Sequence, residues 1–543
     1  MKNIFLRGFT ALSLGTATLA LMPSCTKDLD RTPFYDPNPA IVYKDAAGYK
    51  QVLAKIYGGF ALTGTQGPSG DGTGDIQGID EGTSDYIRQL WSAQELSTDE
   101  AVVAWGDPGI QDWHNMNWTS GNVLIRGLYS RIFYEVTLCN GFIAEASDDK
   151  ISSRGITGAD ADKVKAYRAE ARFIRALSYF HALDLFGNVP FATEKDAIGG
   201  FTPPRSISRA ELFTYVESEL KAIEGDLVTA RQNEYARADK AAAWSLLARL
   251  YLNAQVYTGT ARYTDCALYA KKVIDAGYTL QTASTAKAYS YSRNFLTDNN
   301  TSPEIIFPIA FDGKRTQSYG GTTFLVHAAV SGTADTNWNP AKYGIGGGWG
   351  GIRGTESLYN QFPDTTADRR ARFQTGGQTK NIVSLTDFKY GYVPIKFKNV
   401  DSNNTAGSDN TFVDTDFPMF RLPDVYLMYA EAVVRGGSGD AALALSLVNQ
   451  IRSRAFRNTT AGNITASGLT LDFLLSERSR ELYWEGLRRT DLIRFGKFTD
   501  ASYLWSWKGG VAAGRGVEPF RTLFPIPSSD LSANPNLKQN PGY

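Results

Sequence analysis

The stretch ADKAAAWSLLARLYLNAQVY, residues 238–257, constrains this chain more than any other. It reads as a helix, and DCALYAKKVIDAGY after it reads as a second. Trp244, Leu247, Ala248 and Tyr251 fit the W-x2-L-G-x2-Y pattern of tetratricopeptide repeats, with Ala in the Gly place. Each helix of such a pair buries one face on its neighbour, so pairs stack into a right-handed scaffold. More pairs follow the same logic. RAEARFIRALSYFHALDLFGNVP places Ala169, Phe173, Ala176, Leu177, Phe180 and Leu183 at helical spacing, and Gly187-Asn188 and Pro190 end it. A helix over about 208–228 starts from Ser208. RLPDVYLMYAEAVVRGG opens on Pro423 and closes on Gly436-Gly437, and DAALALSLVNQIRSRAF starts from Asp440. TLDFLLSERSRELYWEGLRRTDLIRFGKF reads as one long helix, and its Glu477, Arg480, Glu481, Arg488 and Arg489 as making it either solvated or structurally salt-bridged. Helices over 51–59 and 123–146 also fit.

Between the pairs the texture changes. Residues 60–120 and about 284–420 are rich in Gly, Asp, Asn, Thr and aromatics, and EIIFPIAF, TTFLVHAAV and VPIKFKNV read as strands. The fold class expected is mainly α: a tetratricopeptide-like helical-pair scaffold carrying a loop-rich, partly β ligand-binding elaboration. Rigid scaffolds usually display their binding residues on such loops.

Composition excludes several functions. Lys plus Arg equals Asp plus Glu at 56 each, so no field of one sign draws in nucleic acid. Three histidines and three cysteines without a CxxC pair offer little for metal or triad chemistry. Cys139 and Cys266 both lie in helical patterns and read as buried thiols, with a disulfide between them the alternative. Aromatic residues reach 12%, which suits ligands with flat or apolar faces.

The N-terminus MKNIFLRGFTALSLGTATLALMPSC is an address. Lys2 and Arg7 precede an apolar run, Phe9 to Met22, that is too short for a membrane span. Cys25 closes it, as the acceptor cysteine of a bacterial lipoprotein does. Residues 1–24 are thus expected to be a signal peptide, and 25–40 a Pro-rich tether behind a lipidated Cys25.

In YGIGGGWGGIRG, residues 343–354, Trp349 stands among seven glycines. Glycines cover apolar surface poorly, so the ring is either plugged from a distance or left free for a ligand. The apolar C–H face of a pyranose can lie on an indole while its hydroxyls stay hydrogen-bonded around the edge.

CTKDLD after the signal, EARFIRALSYFHALDLFGNVPF, RADKAAAWSLLARLYLNA, RLPDVYLMYAEAV, SERSRELYWEGLRRTDLIRFG and the terminal LFPIPSSDL and NPNLKQNPGY span nearly the whole chain. Together they resemble the SusD/RagB family of outer-membrane nutrient-binding lipoproteins. DGTGDIQGIDEGTSDYIRQLWSAQELSTDEAVVAW, YGGTTFLV and SYLWSWKGG are similar to its starch-binding member. The resemblance implies a non-enzymatic, lipid-anchored protein of the outer membrane, exposed at the cell surface, that passes malto-oligosaccharides to a SusC-like TonB-dependent transporter. It implies regions at 41–283, with binding loops at about 60–120, at 284–420 for glycan binding, and at 421–543. It also implies an aromatic arc on Trp105, Tyr319 and Trp349, with polar contacts from Asp80 and Arg88. The relative's sugar-contacting asparagine, three residues after the first arc tryptophan, is replaced here by Pro108, with Asp107 beside it. That leaves another glycan, such as dextran or levan, as the alternative ligand.

Other readings sit beside these. Asp80 and Arg88 could equally be an ion pair fixing their loop. Trp91, Trp113 and Trp118 read as core or rim, and Trp505 and Trp507 as scaffold. No cofactor is expected. Asp71, Thr73 and Asp75 invite a structural calcium, but Ile76 occupies the place where a calcium loop needs Gly. A glycoside hydrolase would need two facing carboxylates, and Asp80-Glu81 and Asp99-Glu100 are adjacent pairs that point to opposite sides of a strand. A helical-repeat adaptor for proteins would leave the aromatic loops unexplained.

Overall fold

The computed structural model describes residues 39–64, 74–196, 199, 202–332 and 337–543. Cys25, the signal and most of the tether lie outside them, as do Asp71 and Thr73. The helices of the scaffold are α1 Ala46–Gly58, α2 Tyr86–Glu95, α3 Val123–Glu145, α4 Gly158–Leu185, α5 Arg209–Ala222, α6 Lys240–Leu252 and α7 Tyr263–Ile274. After them come α8 Gly321–Ala328, α9 Leu422–Val434, α10 Ala441–Ala455, α11 Leu471–Leu482 and α12 Arg488–Arg494. They pack as neighbours: α3 on α4, α4 on α5, α6 on α7, α7 on α9, and α9 on α10. Among the described residues no helix is long and apolar enough to cross a membrane.

Side chains that satisfy the free backbone N–H groups fix where these helices start. Ser208 forms a full capping box with Glu211 on α5. Asp239 caps α6, Asp440 caps α10 and Asn122 caps α3. Pro423 lies in the first turn of α9, and Gly436 ends it at φ +91°. Trp244, Leu247, Ala248 and Tyr251 all lie on α6. The two buried cysteines are free thiols.

The sheets are two-stranded. β1 Ala101–Val103 pairs antiparallel with β5 Ile352–Gly354, Val102 opposite Arg353. β2 Val189–Phe191 pairs with β3 Arg205–Ile207, β4 Ile305–Ile309 with β8 Phe417–Arg421, and β6 Phe373–Gln374 with β7 Val393–Pro394. In the β4–β8 pair Pro308 faces Pro418; neither can donate to the ladder, and the register shifts beside them.

Two expectations of the sequence are corrected. TTFLVHAAV is the helix α8, not a strand. The long helix over 470–498 is two helices, α11 and α12. Trp484 at φ +66° and Gly486 at φ +73° break it. The charged residues there are not solvated. Arg421 bonds Glu481 and Glu485 at 2.6 Å, Arg370 bonds Glu477 at 2.7 Å, Arg454 bonds Glu304 at 2.9 Å and also Glu481. All of these side chains are buried. Arg494 joins Glu431 and Asp491, and Arg478 joins Asp424 and Asp491. Each charge of this network has an opposite partner, which makes its burial tolerable, whereas the buried Arg489 donates to the Thr522 carbonyl at 2.8 Å. The network ties β4, β8 and the 368–372 segment of the loop-rich region to the C-terminal helices.

Candidate functional site

The site is assembled around helix α8. At its N-terminal end stands Asp85, which also caps α2: its Oδ1 accepts the Arg88 N–H at 2.8 Å. The same buried carboxylate accepts the Gly321 N–H at 3.1 Å and the Ser318 hydroxyl at 3.1 Å. One side chain thus joins the helix carrying Arg88 to the turn carrying Tyr319. A Cβ at Gly320 would lie 1.8 Å from Asp85 Cγ, and Gly321, at φ +51°, sits against the Phe311 ring. This close approach is why Tyr319 is followed by two glycines.

At the other end of α8 the carbonyls point outward and need donors. The glycine-rich segment supplies them. The N–H groups of Trp349, Gly350 and Gly351 donate to the carbonyls of His327, Val330 and Ala328, each at 2.8 Å. A Cβ at Gly348 would lie 2.3 Å from the Val330 oxygen, and one at Gly351 would lie 2.4 Å from the Trp105 indole. Trp349 stacks on His327, with ring centroids 4.8 Å apart and planes 22° apart. His327 Nδ1 lies 2.7 Å from the Gly347 carbonyl, so that nitrogen carries the proton and donates. Burial lowers the His327 pKa, so a neutral imidazole supports the indole.

β1 and β5 bring in the third ring. The Ala104 N–H donates to Gly351 O at 2.9 Å, and Trp105 Nε1–H donates to Trp349 O at 3.1 Å. Tyr319 and Trp349 have centroids 6.1 Å apart at 59°. Trp105, Tyr319 and Trp349 are all half-buried, neither plugged into the core nor free of support. The Arg88 guanidinium lies 5.7 Å from the Trp105 ring centroid and 4.8 Å from that of Phe324, and Nη1 reaches Tyr319 O at 3.5 Å. Burial lowers the Arg88 pKa, and the charges of Asp85, Asp107 and Asp80 oppose that shift. Asp80 is exposed and makes no ion pair with Arg88, so the fixing-pair reading is corrected. Asp107 and Pro108 are exposed beside this cluster.

Four of the five site residues predicted from sequence, Trp105, Tyr319, Trp349 and Arg88, therefore meet around α8, and Asp80 acts on the group by its charge. Sequence reasoning missed Asp85, Phe324 and His327. Phe324 and His327 are three apart on one helix face, a relation that a strand reading of TTFLVHAAV hides.

The other tryptophans do different work. Trp91, Trp113 and Trp118 are core, and Trp91 meets Trp484 edge-on at 5.3 Å. Trp505 is buried, and Trp507 Nε1–H donates to Ile382 O at 2.9 Å. Asp99 and Glu100 are buried against Arg488 rather than facing a cleft. Asp75 is engaged by Lys55 at 2.9 Å and Arg131 at 3.3 Å. Among the described residues no cluster of three or more His, Cys, Asp or Glu side chains is arranged to hold a metal.

Two family models match the chain. One, described as the SusD family, covers residues 370–543, and another, described as starch-binding and associating with the outer membrane, covers residues 91–252. The starch-binding protein SusD of Bacteroides thetaiotaomicron is 34% identical, with 100% of both chains covered. The crystal structure of a SusD homolog from Bacteroides thetaiotaomicron is similar with a TM-score of 0.69 at 20% identity, covering 95% of this chain and 100% of that one. A laminarin-binding SusD-like protein gives a TM-score of 0.64 at 21% identity, covering 92% and 100%.

Proposed function

This chain belongs to the SusD family, a glycan-binding and not an enzymatic one, and on that premise we propose that it captures starch-like α-glucan at the cell surface. Malto-oligosaccharide stacks its pyranose faces on Trp349, Tyr319 and Trp105, and Arg88 and Asp80 meet hydroxyls at the edge. The observation that carries this reading is the Trp349 ring, propped from behind by His327 and half-exposed beside Tyr319 and Trp105. Rings held in place by backbone and side-chain contacts lose little freedom on binding, which favours affinity. The 34% identity to a starch-binding protein supports the choice of glucan.

The rest of the reading follows from the family. Cys25 carries lipid and residues 25–40 tether the folded body to the outer membrane. Region 284–420, with the loops at about 60–120, forms the ligand face. Regions 41–283 and 421–543 supply the scaffold, which meets a SusC-like TonB-dependent transporter and hands glycan to it. Affinity per site is modest, and many contacts along one polymer raise the effective binding.

A second glycan class is kept because Asp107 and Pro108 flank Trp105, and Asp107 adds negative charge beside Arg88. Electrophoresis of the protein lacking residues 1–25 through gels containing amylopectin, dextran, levan, laminarin or xylan decides between them. Retardation by amylopectin alone is expected. Retardation by another polymer replaces the glucan but keeps the binding function, and retardation by none rejects a glycan ligand from this set.

A further inference from the structure

A groove beside the aromatic arc is not explained by it. A cleft of about 790 Å³ lies between the Phe311–Arg315 turn and the 401–416 loop, and a second of about 300 Å³ adjoins it. Tyr235 and Asn300 line both, so the two join across the Tyr235 ring. Tyr235 is 47% exposed, unusual for a large aromatic residue in this molecule. Its hydroxyl donates to Asp416 Oδ2 at 2.5 Å, and Asp416, itself buried, is anchored by the Phe311 N–H at 2.8 Å. Tyr235 is therefore exposed yet anchored through its hydroxyl rather than hanging free.

The walls suit a neutral ligand with many hydroxyls. Asp414 is fixed by the Gly313 N–H at 2.7 Å and the Ser408 hydroxyl at 2.8 Å, and Asp401 by the N–H groups of Asn403 and Thr405. Fixed carboxylates with further lone pairs accept hydroxyl donors at low cost in ordering. The two cations of the turn, Lys314 and Arg315, already pair with Asp409 at 3.0 Å and Asp312 at 2.6 Å, which disfavours an anionic ligand.

The segments that line the groove run on to the arc. Arg315 is four residues before Tyr319, and the 401–416 loop carries Phe412, whose ring lies 5.3 Å from that of Tyr319. We infer that this groove is a second subsite, which binds pyranose units of the same glycan chain that stacks on the arc, with Tyr235 as its stacking residue. The inference rests on the glycan reading above.

Chain length tests it. A short ligand fills the arc alone, whereas a polymer reaches both subsites and gains from the second through effective concentration. Tyr235→Ala and Asn300→Ala, both at exposed positions, are compared with the wild type using maltotriose by calorimetry and amylopectin by affinity electrophoresis. The Kd for maltotriose is expected to stay within about twofold, while retention on amylopectin falls by about three- to tenfold. Trp349→Ala weakens both. Wild-type retention by both variants overturns the subsite. Equal weakening of both probes also overturns it, since that is what a general disturbance of the arc would give. If wild type is retained only by another polymer, that polymer and its trisaccharide replace the probes and the same comparison decides. A wild type retained by no glycan overturns this inference together with the function it rests on.

Discussion

Glycines 320 and 347 flank the same site and answer oppositely to an added methyl group. At Gly320 a Cβ would meet the Asp85 carboxylate at 1.8 Å, and Asp85 cannot withdraw without uncapping α2. Gly320→Ala should destabilise the protein by about 1–3 kcal/mol, the usual range for overpacking, and weaken glycan binding by displacing Tyr319. At Gly347 the space is open, so Gly347→Ala should leave the melting temperature unchanged. Thermal melts of the two variants check this, and equal melts would show that the Asp85 contact does not hold the turn. The sequence made Tyr319 and Trp349 legible because glycines beside an aromatic leave it uncovered. It did not show what each glycine faces. Gly320 meets Asp85, Gly348 meets the end of α8 and Gly351 meets Trp105; all three contacts are long-range.

At the scale of elements, legibility follows amphipathicity. α5 and α10 have polar faces and clear caps, and their existence could be read directly. α8 is buried on every side, so no 3.6-residue alternation marks it, and its Thr and Val residues imitate a strand. The break between α11 and α12 escaped for the opposite reason: the charged residues over 477–491 suggested one continuous helix, solvated or salt-bridged, and the salt-bridged alternative is what the structure has, with Glu477, Glu481 and Glu485 the buried partners of Arg370, Arg421 and Arg454. Burial alone would raise the Glu481 pKa, but Arg454, Arg421 and Arg370 outweigh it and hold it at about 2. Glu481→Ala leaves those buried arginines short of a partner and should cost about 3–5 kcal/mol, measured by denaturant unfolding. A loss under about 1 kcal/mol would mean that the network reorganises around the gap.

For the molecule as a whole, three histidines give a direct view of the buried scaffold. Burial depresses His114 and His181 to about 3 and lowers His327. An unfolded histidine binds its proton near pH 6.5, so below that pH each of these groups favours unfolding by about 1.4 kcal/mol per pH unit, down to its folded pKa. Glu481 and Asp424, both held at about 2, add loss of stability in the same direction below about pH 4.5. Glu100, raised to about 7 by burial and by the neighbouring charge of Asp99, acts oppositely between about pH 4.5 and 7. The net profile mixes these, and the histidine ring resonances separate them. His114 and His181 should stay unprotonated in NMR spectra down to pH 4; titration near 6.5 would show that water reaches them. The scaffold was legible as helix pairs and the candidate site as aromatic loops. The junction of α8 with the glycine-rich segment was not, because it joins parts of the chain through backbone carbonyls that carry no sequence signature.

The central claim is that sugar lies on the Trp349 face. Calorimetric titration of maltoheptaose into wild type and Trp349→Ala, with a melting curve for each, tests it most directly. Wild type should bind, and the variant should bind at least about tenfold more weakly, the loss of a central aromatic anchor. Its melting temperature should stay within about 3 °C, since the half-exposed ring is not part of the buried core. Equal affinity in the two proteins would contradict the account.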